Sequence, residues 1–149
     1  MIVGTGPHIL RGIEIYKDKL IFYSLGDFIF ENETVEFLPA ENYLQYRLGP
    51  DATPADFNDR RSNNDTRSFP ADARIWRSVI ALPVFRGGKL EKVELLPITL
   101  GQKLPRPQRG RPLPASGDEA QQIIQHLADL SAPYGTRIVF QDGKGVIVR

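Results

Sequence analysis

The sequence predicts a strand-rich α/β fold, and three observations carry that expectation. Three stretches place apolar, β-favouring residues on both sides of a short turn, the signature of a β-hairpin. One stretch near the C-terminus repeats apolar residues at helical spacing behind a capping signal. Between the first and second hairpins, residues 31–73 are polar and proline-studded, which predicts a surface excursion.

Met1 to Val3 reads as a short apolar strand, and Gly4-Thr5-Gly6-Pro7 as a tight loop after it. Gly4 and Gly6 permit backbone conformations closed to other residues, while Pro7 fixes its own φ and biases Gly6 away from helix. The loop therefore presents His8 at a strand's end, a place suited to a metal ligand or a general acid/base. The plainer reading is a loop histidine satisfied by a backbone carbonyl. Ile13-Glu14-Ile15-Tyr16 then alternates, Lys17-Asp18-Lys19 turns, and Leu20-Ile21-Phe22-Tyr23 answers, giving the first hairpin. Arg11 and Glu14 lie close by, with Glu14 alternating outward into solvent.

Residues 31–73 hold Asn58-Asp59-Arg60-Arg61-Ser62-Asn63-Asn64-Asp65 and four prolines, favouring loops and irregular turns over a packed element. Tyr43, Tyr46, Phe57 and Phe69 argue that the segment folds back onto the body as an ordered excursion. Ile75 to Phe85 and Leu90 to Leu100 flank Arg86-Gly87-Gly88-Lys89, the second hairpin. Pro83 inside its first strand implies an edge position or a bulge. Trp76, the one tryptophan, reads as core.

Lys103 to Pro114 holds four prolines with Lys103, Arg106, Arg109 and Arg111, which predicts a solvated, extended connector. Its basic character also suits an anionic polymer or phosphate. Ser116-Gly117-Asp118-Glu119 has the form of a capping box, and Ala120, Ile123, Ile124, Leu127 and Leu130 share one face of the helix behind it. His126 falls at the margin of that face. Asp142-Gly143 turns the last hairpin, Thr136–Phe140 with Val146–Val148.

Taken as it stands, Gly4-Thr5-Gly6-Pro7-His8-Ile9-Leu10, continuing through Ile13-Glu14, Tyr16-Lys17 and Tyr23-Ser24-Leu25-Gly26-Asp27-Phe28, resembles the C-terminal portion of the CapA family. These are poly-γ-glutamate capsule biosynthesis proteins of the calcineurin-like metallophosphatase superfamily. Trp76-Arg77-Ser78-Val79, Leu96-Pro97-Ile98 and Ala132-Pro133-Tyr134-Gly135-Thr136 extend the likeness. The resemblance implies part of a calcineurin-like sandwich, mainly its C-terminal sheet and one outer helix. Residues 1–149 would then be the C-terminal part of a single domain, with the N-terminal half as its missing partner and an exposed sheet edge or apolar face where that half belongs.

The resemblance also implies a site for divalent ions of the manganese, iron or zinc class. His8 is the one ligand and catalytic residue that carries over. Family members commonly have a second histidine where Thr5 and Gly6 stand here. Thr5 offers a hydroxyl to a metal-bound water but is a poor ligand. Asp27 replaces the usual Asn, either orienting His8 through a hydrogen bond or capping a turn; the turn is the preferred reading. Each ion wants about three protein ligands, so this chain alone is expected not to hold catalytic metal tightly.

Nineteen basic and eighteen acidic residues leave a net charge of +1, which argues against a general nucleic-acid binder. No apolar run approaches the roughly 20 residues needed to cross a bilayer, and no signal peptide is legible; the resemblance suggests a bacterial cell-envelope setting. Zero cysteines exclude disulfides and thiolate metal sites. Three functions follow as expectations: part of a metal-dependent hydrolase, a non-catalytic envelope scaffold or binding domain, or an inactive gene fragment.

Overall fold

A computed structural model describes residues 1–148, and for Glu33 the backbone alone. The fold is α/β, with two sheets and three α-helices among the described residues. Strand β1 (Ile2–Val3) runs parallel to β3 (Lys19–Phe22), which pairs antiparallel with β2 (Ile13–Tyr16), in the order β1-β3-β2. Lys17 and Asp18 turn this hairpin with φ of 47° and 60°, the left-handed pair that matches the strands' twist.

The second sheet is built on β4 (Arg77–Arg86) and β5 (Lys89–Thr99), joined by Gly87 and Gly88 at positive φ. Strand β6 (Leu113–Pro114) adds to the far end of β5. The terminal hairpin, β7 (Arg137–Gln141) and β8 (Lys144–Val148), completes the order β4-β5-β8-β7. All three expected hairpins form. Pro83 lies on the edge strand, one of its two expected settings, paired in register with Val93; the register shifts only beyond it, between Val84 and Phe85.

Helix α3 (Gly117–Ser131) buries Ala120, Ile123, Ile124 and Leu127, the stripe its spacing predicts. Ile123, Ile124 and Leu127 share one core with Ile13, Leu20 and Phe22 of the first sheet and Val93, Leu95, Ile138 and Ile147 of the second. The helix thus ties the two sheets together. Its far end supplies a buried polar joint: Ser131 Oγ donates to the Leu127 carbonyl at 2.6 Å and accepts the Ile13 N–H at 3.0 Å. Beside it the Gly12 backbone runs so close to the Leu130 carbonyl and the Tyr134 ring that a Cβ would collide with both. His126 is exposed, as expected.

Three expectations need correction. The capping box at Ser116 does not form; Gly117 takes φ +55°, and the Ser116 side chain makes no capping bond. Residues 31–73 are not merely loops, since they contain α1 (Ala40–Gln45) and α2 (Pro54–Ser62). A true capping box opens α2, where Thr53 Oγ1 accepts from the Asp56 N–H and the Asp56 carboxylate accepts from the Thr53 N–H. Nor is the basic strap free in solvent. Arg106 pairs with Asp59 and Asp65, and Arg109, its side chain 7% exposed, pairs with Asp65 at 2.9 Å while lying over the Trp76 ring. Opposite charges on excursion and strap fasten Arg106 and Arg109, while Lys103 and Arg111 stay exposed as expected.

Trp76 is core as expected, packed with Ile75 and Leu100 and edge-on to Phe30. Apolar side chains do stay exposed on the edge strand β4 (Ile80, Leu82, Val84, Phe85) and on β1. No helix of the described residues is long and apolar enough to cross a membrane.

Candidate functional site

The first sheet delivers the His8 loop. Gly4 N–H donates to the Phe22 carbonyl at 2.8 Å and Leu25 N–H to the Gly4 carbonyl at 3.3 Å, so the loop's start is zipped onto the end of β3. Gly4 is required by crowding, since a Cβ there would strike the Tyr23 carbonyl; Gly6 has open space around it. A turn closed by His8 N–H to the Thr5 carbonyl at 3.2 Å then holds His8 at φ 61°. A left-handed conformation at a non-glycine residue costs about 1–2 kcal/mol, so surrounding contacts must fix it.

Asp27 supplies one such contact. It follows Gly26, whose φ of +77° sharply redirects the chain after β3, with Gly26 N–H donating to the buried Ser24 hydroxyl. Ser78 Oγ donates to the Leu25 carbonyl at 2.5 Å and fastens this corner to β4. The Asp27 carboxylate then meets His8 Nδ1 at 2.9 Å through one oxygen and 3.2 Å through the other. The side chains are 16% and 52% exposed, so a shielded carboxylate supports an accessible ring.

Of the two readings of Asp27, the structure shows the contact with His8 and corrects the preference for a turn cap. Thr5 touches the site through its backbone carbonyl, and its hydroxyl takes no part in the pair. Glu14 is not simply solvated either: it accepts the Tyr23 hydroxyl at 2.5 Å, and this bond, with some burial and the nearby negative charge, raises the Tyr23 pKa.

A carboxylate only accepts, so Nδ1 carries the proton in this pair, and in the neutral ring Nε2 keeps the lone pair. A ring held this way is chemically fit to take a proton or to ligate. Among the described residues, no group of three or more His, Cys, Asp and Glu side chains comes together to hold a metal ion. His8 and Asp27 are two candidate ligands, where a tightly held ion wants at least about three.

The sequence reading missed Phe69. It comes from the excursion and lies with its ring centroid 5.3 Å from that of His8. It is held there because the neighbouring Pro70 carbonyl accepts both the Trp76 indole N–H at 3.1 Å and the Gln102 amide at 2.9 Å. The available signal was Thr53-Pro54-Ala55-Asp56, a helix start that marks the excursion as structured.

Comparison with known proteins adds a family likeness at the same place. Residues 1–32, which span the His8 loop, the first hairpin and Asp27, match the family described as Bacterial capsule synthesis protein PGA_cap. Over 31 residues the chain is 52% identical to the capsule biosynthesis protein CapA of Bacillus anthracis and 55% identical to the PGA biosynthesis protein CapA of Bacillus subtilis (strain 168). Each match covers 21% of this chain and 8% of the relative. A longer likeness, 36% identity over 155 residues and 97% of this chain, is to the uncharacterized protein y4sH of Sinorhizobium fredii (strain NBRC 101917 / NGR234). The chain spans about a third of that relative, 33% of its length. The N-terminal segment, residues 1–32, is thus a CapA-like region.

Proposed function

We propose that the chain is the C-terminal part of a CapA-like protein acting in capsule or poly-γ-glutamate biosynthesis, and that His8 serves a hydrolytic site which residues outside this chain complete. The observation that carries the reading is the coincidence of the CapA likeness with the one oriented imidazole at residues 1–32. In this reading Asp27 orients His8, and Nε2 faces the substrate. The remainder of a calcineurin-like sandwich covers the apolar side chains exposed on β1 and β4. A divalent ion of the manganese, iron or zinc class belongs to the completed site, with His8 the one imidazole this chain contributes. The substrate is an anionic polymer or a phosphate-bearing molecule at the cell envelope.

One observation favours a second reading, a non-catalytic scaffold or binding domain in polymer export. Thr5 and Gly6 stand where a second histidine is usual in the resembling family, and Asp27 occupies Nδ1 of the histidine that remains. The two readings part in one experiment. The gene carrying this chain is deleted in its source cells, the surface polymer is quantified, and wild type or His8→Ala is returned. Polymer lost on deletion and restored by wild type alone supports the hydrolytic reading. Restoration by both forms supports the scaffold. An unchanged polymer level on deletion removes the capsule assignment.

A further inference from the structure

Arg77 stands between two clefts. The first, of about 580 Å³, opens between Ala73–Arg74 and the outward side of α3, above Leu10 and Ile123. The second, of about 670 Å³, opens toward the strap, where Trp76, Leu104 and Leu113 supply apolar walls. Ala73, Arg77, Asp118 and Gln122 line both, so the two clefts meet at the Arg77 side chain. Each volume lies in the range of small-molecule sites, which pair apolar walls with a few polar groups.

Arg77 is held differently from its neighbours. Arg74 binds both oxygens of Asp72, at distances down to 2.7 Å, and Arg106 and Arg109 lie on the Asp59 and Asp65 carboxylates. The Arg77 guanidinium donates to the Gln122 side-chain oxygen at 3.3 Å and stands 4.0 Å from the Glu119 carboxylate, with its side chain 37% exposed. A guanidinium offers five N–H donors in a planar fork that suits carboxylate or phosphate. One long bond and one distant carboxylate leave most of that capacity for a ligand. The side-chain amides of Gln121 and Gln122 add donors along the first cleft, while the Gln125 amide donates to Asp129 at 2.8 Å. Asp118 and Asp129 also line it, and with Arg74 taken up by Asp72 they leave Arg77 as the cation open to a ligand, which disfavours a polyanion and limits the site to a ligand with a single anionic group.

We propose that the junction at Arg77 binds a small molecule carrying one oxyanion, carboxylate or phosphate, on an apolar body: the oxyanion lies on the Arg77 fork and the body in the cleft above Leu10 and Ile123. This site is separate from the His8–Asp27 pair and does not depend on the function proposed for it.

The test titrates the 149-residue chain with inorganic phosphate, phenyl phosphate and 3-phenylpropanoate, by calorimetry and by NMR of the Arg Nε–H and Gln amide groups. Saturable binding is expected for at least one aromatic probe with Kd on the order of 1 mM or lower, and the tighter of the two identifies the anionic group. Arg77→Gln should weaken it at least about tenfold and Arg77→Lys less, because lysine keeps the charge but loses the fork. Arg86→Gln, on the distant hairpin turn, should bind as wild type. Ala73→Trp, which narrows the first cleft while keeping Arg77, should weaken the aromatic probes more than inorganic phosphate. It keeps the test open should Arg77→Gln fail to fold. No saturation by any probe up to about 20 mM, or an unchanged affinity in a natively folded Arg77→Gln chain, overturns the proposal.

Discussion

The Asp27 carboxylate accepts the Nδ1–H of His8 at 2.9 Å, although 19 residues separate them in the chain. The intervening hairpin makes the meeting possible. His8 precedes β2 and Asp27 follows β3, so antiparallel pairing returns the chain to where it started. The Leu10–Leu25 bridge continues that pairing to within two residues of each partner. Both conformations are special, with His8 itself and Gly26 beside Asp27 at positive φ, and the hydrogen bond couples the two corners.

Asp27→Asn should release the imidazole from a single tautomer. The asparagine side chain can donate or accept, so it no longer requires the proton on Nδ1. Nitrogen-15 shifts of the neutral His8 ring should show mostly the Nδ1–H form in the wild type and a mixture in the variant. Equal tautomer populations in both would mean the carboxylate does not govern the ring.

Ser131→Ala should destabilise the chain by about 1–3 kcal/mol, the cost of leaving a buried donor unsatisfied. Ser131 is fully buried, and its hydroxyl accepts the Ile13 N–H that begins β2. Urea denaturation gives the loss directly. An effect below about 0.5 kcal/mol would show that Ile13 finds another acceptor.

Arg109→Ala should loosen the excursion over residues 31–73. The burial around Asp65 raises its pKa, but the Arg109 and Arg106 guanidiniums outweigh that and hold it below the usual carboxylate value. Removing Arg109 also uncovers the Trp76 ring that it lies over. Trp76 is the chain's one tryptophan, so its emission should shift to the red as water reaches the indole, and proteolysis within 31–73 should quicken. An unshifted spectrum would mean Arg106 alone suffices to fasten the excursion.

Local signals made most of the sheet framework legible. Gly87-Gly88 and Asp142-Gly143 can hold left-handed turns cheaply, and they turn hairpins in the fold. Ile123, Ile124 and Leu127 reveal their helix by spacing alone. What stayed hidden depends on partners distant in sequence. Arg109 reads as solvated until the fold sets it on Asp65 and Trp76, and Phe69 signals only that the excursion folds back, its place beside His8 following once Pro70 is tied to Trp76 and Gln102. Ser116 shows the reverse error. The capping pattern is present, but Gly117 takes a left-handed conformation and the Ser116 side chain makes no capping bond. For the site itself, His8 and Asp27 could be named from the sequence, while their contact required the hairpin's register.

The joint between β5 and the terminal hairpin should weaken in acid, and Glu94 should be the cause. The β5–β8 register rests on Glu94↔Val146 and Leu95↔Gly145, a short ladder. Glu94 reinforces it across the strands by pairing with Lys144 at 2.6 Å, while Lys92 on its own strand approaches at 2.7 Å. Hydrogen bonds from Lys144 and then Lys92 lower the Glu94 pKa from 4.5 to about 2. Because the folded value lies below the unfolded one, the stabilisation is fully present above pH 4.5 and is lost as pH falls through about 2. Glu94→Gln should therefore be less stable than wild type at neutral pH by a constant margin. That margin should shrink below pH 4.5 and vanish near pH 2, and added salt should reduce it because the groups meet solvent. Urea midpoints of both chains across pH 2 to 7 measure it. A gap that persists unchanged to pH 2 would assign the effect of the substitution to packing rather than to charge.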